Sequence, residues 1–314
     1  MIVKLVLKSL QHEKTRFATA ALGVAAAAGL VVWSLGLAVT SAGQSREKVR
    51  RMTAPYSCWV STGNVGVKMD RAAMGAMMRP SREQMMAVVP SNVVAAIQGL
   101  PGVESVLGCK TIRTTLDYRP DGRVLQGPPL MATLMLASAS GCPYASAKVT
   151  GKWPDPSSGE PEAAVCSAVF KPRRFAPPAL GTPLVLITPS GTVTVKITAV
   201  IDFDETVQGF PTAFTTIAAM QQACGDAYDP QPNLLLCQTR NGGSAKAIKE
   251  IVAKLSPPAP VAAAIPGEPP PEKRLLCAAV ERKDVEANYA SDKLQNFKRQ
   301  APLLLTLSVL TALC

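Results

Sequence analysis

A single histidine, His12, serves the whole chain of 314 residues. Triads built on histidine, histidine-rich metal centres and imidazole general-base catalysis are therefore excluded from everything that follows it. Aromatics are scarce, with three Trp, five Tyr and seven Phe, and the basic residues behind a net charge of +11 are spread thinly. Nucleic-acid binding needs a basic patch interleaved with stacking rings, so no nucleic acid is read as a partner. There is no glycine-rich loop of the Walker type, which removes that route to binding and hydrolysing ATP. The eight cysteines include no CxxC pair, which argues against zinc ribbons and thioredoxin-type motifs. Most of them read as small buried apolar residues, with disulfides as the alternative in an oxidising compartment. No catalytic residue, cofactor or metal is assigned from these patterns.

Apolar sequence is what the chain has in quantity. With 47% hydrophobic and 18% charged residues it has ample material for a buried core. Phe17 to Thr40 carries no charge over about 24 residues, and a helix of that length reaches about 36 Å, enough for a hydrocarbon core. A cleavable signal peptide is the competing reading, but its apolar core is typically about 7–15 residues. Residues 17–40 are therefore read as a transmembrane helix. Gly23, Ala27 and Gly29 keep one part of it slim, which would let another spanning helix approach.

Before this span, Lys4 and Lys8 recur at helical spacing opposite Val3, Leu7 and Leu10, so residues 1–16 read as an amphipathic cytoplasmic helix along the membrane face. Lys14 and Arg16 complete a basic flank. Arg46, Lys48, Arg50 and Arg51 balance it on the other side, so orientation rests on the ease with which long domains are exported whatever their charge. At the far end, Ser291 is expected to cap a helix running through Leu294 and Phe297 into the apolar stretch from Ala301. That stretch is too short to cross a bilayer, so 291–314 is read as a stalk and the beginning of a second span.

Between the two lies an external domain, 41–290. A strand is expected over Pro55–Val65, a helix from a cap at Ser91 to Gly99, and strands over Val103–Leu107, Thr111–Tyr118 and Met131–Ala137. This order predicts an α+β domain with a split βαβ layer. From about 150 to 210 the pattern becomes all-β, with a hairpin around Pro189, Ser190 and Gly191, and is read as an inserted small β subdomain. The first pattern then returns, with helices at Ile217–Ala223 and Ser244–Leu255, strands at Asn233–Thr239 and Arg274–Val280, and a Pro-rich loop over 257–272. Met69, Met74, Met77, Met78, Met85 and Met86 admit a soft Cu(I) site, an adaptable apolar surface or simple gap filling. Asp202, Asp204 and Glu205 admit a hard cation or a solvated strand end.

The opening LVLKSLQHEKTRFATAALGVAAAAG, Leu5 to Gly29, resembles that of FtsX-like and MacB-like ABC transporter permeases, Lys14 and Arg16 matching the basic element and Leu22–Gly23 the span. IQGLPGVESV, GKW, LGTPL and TAVID follow in the family's order, and SDKLQNFKRQAPLLLTLSVL resembles the approach to its second span. The resemblance implies a porter-like periplasmic core domain on a transmembrane helical anchor in the bacterial inner membrane. It implies a separate ABC ATPase subunit as partner, a homodimer or paired permease, and work done by motion and not by chemistry in this chain. On this reading Lys4, Lys8, Lys14 and Arg16 contact the ATPase or membrane lipids, while Gly23, Ala27 and Gly29 pack against the mate. A membrane-anchored binding, adaptor or sensor module without an ATPase is the alternative.

Overall fold

The computed structural model describes residues 14–62, 87–118, 132–138, 141–171, 176–188, 190–203, 206–207, 210–240, 242–258, 275–292, 294–295 and 299. The methionine-rich segment, most of the Pro-rich loop, Asp204, Glu205 and the apolar stretch from Ala301 lie outside these residues. The chain divides into two compact units, one made of Met1–Glu47 with Glu286–Cys314 and the other of Lys48–Val285.

Helix α1, Lys14–Thr53, is unbroken over 40 residues. Among the described residues it is the one helix long and apolar enough to cross a membrane, and none of its most apolar stretch is buried. Leu22, Leu30, Val32, Trp33, Leu35, Leu37 and Val39 are exposed along it. Its hydroxyls turn back onto the backbone, Ser34 Oγ donating to Leu30 O at 2.7 Å and Thr40 Oγ1 to Gly36 O at 2.9 Å. Polar groups satisfied in this way are compatible with lipid.

The second unit contains two sheets. Its first has the strand order β11-β1-β10-β2, where β1 is Cys58–Thr62, β2 Val103–Cys109, β10 Leu234–Thr239 and β11 Cys277–Glu281. All three pairings are antiparallel, so β1 runs parallel to β2 with β10 between them, and β10 parallel to β11 with β1 between them. Parallel strands need a crossover, and helices α2 (Ser91–Gln98) and α4 (Gly242–Leu255) supply the two. Val93 and Ile97 of α2 and Ala245, Ile248 and Val252 of α4 recur at helical spacing and bury against Cys58, Val60, Leu235, Cys237 and Cys277. Ser91 does not cap α2. The helix begins at Ser91 itself, and Pro90 precedes it without a side-chain bond, its carbonyl taking the amides of Val93 and Val94. The side-chain acceptor at this end is Asn92, whose Oδ1 takes Val93 N at 2.9 Å, so the Ser91 hydroxyl is not required.

The second sheet has the order β5-β8-β6-β9-β4-β3-β7, and a further pairing of β7 with β8 closes it into a barrel. Its strands are β3 (Thr111–Asp117), β4 (Ala132–Ala137), β5 (Lys148–Gly151), β6 (Glu162–Cys166), β7 (Pro183–Thr188), β8 (Gly191–Asp202) and β9 (Ala213–Thr215). The all-β part is therefore larger than an insertion over 150–210, because β3 and β4 join it. The physical reason is a one-residue switch: β2 ends at Cys109 and β3 starts at Thr111, so the chain passes from one sheet to the other at Lys110.

Strand β8 closes the ring because it is long and alternates strictly, burying Val193, Val195, Ile197, Ala199 and Ile201 while Thr192, Thr194 and Lys196 face outward. Against β6 its register slips at Ala163/Ala164, which leaves Thr198 as an extra residue. A bulge of this kind bends and twists a strand, allowing one strand to serve neighbours in two directions. Helix α3, Ile217–Cys224, follows β9 and is capped by Thr216, whose Oγ1 accepts from Ala219 N. Beyond β11 a helical run occupies 282–292. Ser291 thus lies within a helix that has already begun, not at its cap.

Candidate functional site

The sequence-predicted site residues fall on or before α1. Lys4 and Lys8 lie outside the described residues. Lys14 is exposed at the start of the helix, and Arg16, Gly23, Ala27 and Gly29 are all helical. A Cβ at Gly29 would meet no atom within 4 Å among the described residues. Asp202, the described member of the acidic trio, accepts from Ser167 Oγ at 3.1 Å. No group of three His, Cys, Asp or Glu able to hold a metal occurs among the described residues.

A different cluster emerges where α1 ends. Val49, Met52, Thr53 and Tyr56 are buried, and the backbone carbonyls between them are taken up by other parts of the domain. Ser146 Oγ donates to Arg51 O at 2.6 Å, and Ala145 N to Ala54 O at 3.2 Å. From the other side Arg282 donates its backbone N–H to Ser57 O at 2.9 Å and Nη1 to Tyr56 O at 3.4 Å. Segment 141–147 is itself pinned by Tyr144, whose ring meets Phe203 at 5.1 Å and Phe214 at 5.6 Å and whose hydroxyl donates to Pro211 O. Phe210 continues the cluster to Trp59, with ring centroids 4.6 Å apart and edge to face. Such ring pairs contribute about 0.5–1.5 kcal/mol each beyond their buried area. Burial pushes the Tyr144 phenol well above its ordinary range, and raises Tyr56 to about 12, Cys109 and Cys142 adding to the effect. Both act as neutral structural groups.

Two buried polar residues mark the switch between sheets. Asn233 receives Thr111 N at 2.7 Å and Thr111 Oγ1 at 2.8 Å on Oδ1, and returns Nδ2 to Thr111 O at 2.6 Å. Its own backbone joins β2 and β1, N donating to Cys109 O and O accepting from Thr62 N. The neighbouring Lys110 is 3% exposed and its Nζ has no hydrogen-bond partner among the described residues. Burial lowers its pKa, opposed by Asp229 and Cys224.

The described thiols offer no reactive centre. Cys58, Cys109, Cys166, Cys224, Cys237 and Cys277 are buried and free, Cys142 half-buried. Burial pushes Cys109 and Cys237 up to about 12, and Cys58 rises too, first by burial and then through Cys237 opposite it across the ladder. A nucleophilic thiol needs the reverse shift.

No family model and no curated protein matches the chain. Among solved structures it is similar to the periplasmic region of MacB from Actinobacillus actinomycetemcomitans, at TM-score 0.42 and 10% identity, covering 78% of this chain and 97% of that one. It is also similar to the extracellular domain of the noncanonic ABC-type transporter YknZ from Gram-positive bacteria, at TM-score 0.33 and 13% identity, covering 64% and 91%. At these identities and TM-scores the likeness by itself assigns no function.

Proposed function

We propose that this chain is a permease subunit of an ABC transporter of the FtsX-like and MacB-like kind, in which a separate ATPase drives motion of the external domain for export or extraction. The observation that carries the reading is the placement of the domain's two chain connections. Strand β1, reached directly from α1, and β11, which leads directly into 282–292, are neighbours in one sheet. Ser57 and Arg282, one residue beyond each strand, are hydrogen-bonded. A domain inserted between two spans must return its chain beside the point where it arrived, and the interleaved strand order β11-β1-β10-β2 of the first sheet achieves that. A domain hung from one anchor has no such requirement.

On this reading residues 41–290 form the periplasmic core, Lys4, Lys8, Lys14 and Arg16 meet the ATPase or lipid phosphates, and Gly23, Ala27 and Gly29 pack against a paired permease. The test is affinity purification of the protein from membranes under mild detergent, followed by assay of ATP hydrolysis. Co-purification of an ATPase whose turnover changes on Lys14→Glu or Arg16→Glu substitution is expected. Quantitative recovery of the chain with no ATPase would leave an anchored binding or sensor module instead.

A further inference from the structure

Four carbonyls in a run of seven residues, those of Arg51, Ala54, Tyr56 and Ser57, are each held from a distant part of the chain. We propose that residues 51–57 form a coupling handle, through which displacement of α1 is passed to the barrel by the strap 141–147 and to the outgoing helical run by Arg282. This deepens the permease reading, on which it rests for the source of the motion, by naming where motion enters the domain.

Three features distinguish a handle from a linker. First, α1 is one continuous helix up to Thr53, so axial or tilting motion reaches Arg51 without an intervening loop. Second, the handle contains no glycine and buries Met52, Thr53 and Tyr56, and Thr53 Oγ1 ties back to Val49 O at 2.9 Å. A flexible linker would leave these groups to water. Third, the strap is not merely laid on the surface. Ala145 and Ser146, which hold the handle, are joined to the barrel on both sides: Tyr144 is lodged among Phe203, Phe210 and Phe214, and from Lys148 the chain continues as β5, paired with β8. Load on Arg51 and Ala54 therefore falls on Phe203, Phe210 and Pro211 through Tyr144, and on β8 through β5. Packed interiors respond to such load by discrete repacking and not by smooth deformation.

Hydrogen exchange read by mass spectrometry on the full chain in lipid nanodiscs tests this. Tyr144→Phe removes the bond to Pro211 O, and the Tyr144 hydroxyl takes part in none of the four bonds that hold the handle's carbonyls. If the strap couples, the amides of Thr53, Ala54 and Tyr56 exchange about threefold to tenfold faster in this variant, the range expected for one lost hydrogen bond. The β7–β8 hairpin should be unchanged. Ser146→Ala, at an exposed position, should speed the same amides together with those of 145–147. Faster exchange confined to 203–214 in Tyr144→Phe, with the handle amides at their original rates, would overturn the proposal. So would a Ser146→Ala variant identical to the parent protein, which decides the matter if Tyr144→Phe fails to fold. Coupled exchange in a chain that purifies without an ATPase would retain the handle and remove the permease reading alone.

Discussion

Replacing Asn233 by alanine should be among the most damaging single changes in the domain, although the side chain is small and polar. Three hydrogen bonds to Thr111 vanish together, and both the amide and the carbonyl of Thr111 are left buried without them. Thr111 is 8% exposed and Asn233 5%, so water has little access to either. A buried backbone group stranded in this way costs about 1–3 kcal/mol, and partial relaxation makes the three losses less than additive. The expected loss is about 3 kcal/mol. For a unit the size of Lys48–Val285 this corresponds to about 6–12 °C in midpoint.

Urea or thermal unfolding of the full chain in detergent, followed through the change in tryptophan emission as buried Trp59 is exposed, measures it. Asn233→Asp provides an internal control. Its carboxyl keeps an acceptor for Thr111 N and Oγ1 but, when ionised, opposes the Thr111 carbonyl instead of donating to it. The carboxyl pKa should therefore be raised in the folded state, so the variant is most stable at low pH and loses stability as pH rises through that folded value. A loss below about 1 kcal/mol for Asn233→Ala, or an Asn233→Asp variant with no such pH dependence, would refute the view that this residue joins the two sheets.

Lys110→Met should stabilise the domain by about 1–3 kcal/mol at neutral pH, since it removes a buried ammonium with no hydrogen-bond partner among the described residues. Because the folded pKa lies below the unfolded one, the unfolded chain binds more protons across that window. The parent protein's stability rises there with pH, and the advantage of the methionine variant shrinks towards pH 10, which a Tm series would reveal. Gly151→Ala should destabilise by about 2–4 kcal/mol in the same assay, combining an unfavourable φ of +99° with a Cβ driven into the Thr198 carbonyl. Iodoacetamide applied to the native protein at pH 8 should label Cys142 first among the described cysteines, and leave Cys58, Cys166 and Cys237 unmodified until the domain unfolds. Peptide mapping reads the order directly.

Elements governed by local periodicity were legible. The alternation from Thr192 to Ile201 and the apolar spacing of Ala245, Ile248 and Val252 specify β8 and α4 within a residue or two of their observed limits. Membership of a sheet was not. Strands β3 and β4 follow β2 in sequence and were read with it, yet they belong to the barrel, because a single lysine between two strands leaves no turn signal to mark the change. The handle was equally hidden. Its bonds join residues separated by 95 and 226 positions, and neither GCPYASA nor RMTAPYS has a period or a motif that would single it out. Tyr144 in a chain so poor in rings was the one available signal, since a scarce aromatic is costly to leave unpacked.

A closed barrel suits the task assigned to the strap. An open sheet pulled at one edge can shear strand from strand, because its outer strand is held on one side only. In the ring β8-β6-β9-β4-β3-β7 every strand has two neighbours, so displacement delivered through Tyr144 near β9 is shared by both directions around the ring. The first sheet has the opposite property. Its edge strand β11 is paired only with β1 and continues directly into the helical run 282–292, so it is the strand best placed to shift when that helix moves. Stiffness on the barrel side and compliance at β11 would make the Ser57–Arg282 contact, which bridges β1 and β11, the first to register a difference in motion between the two connections.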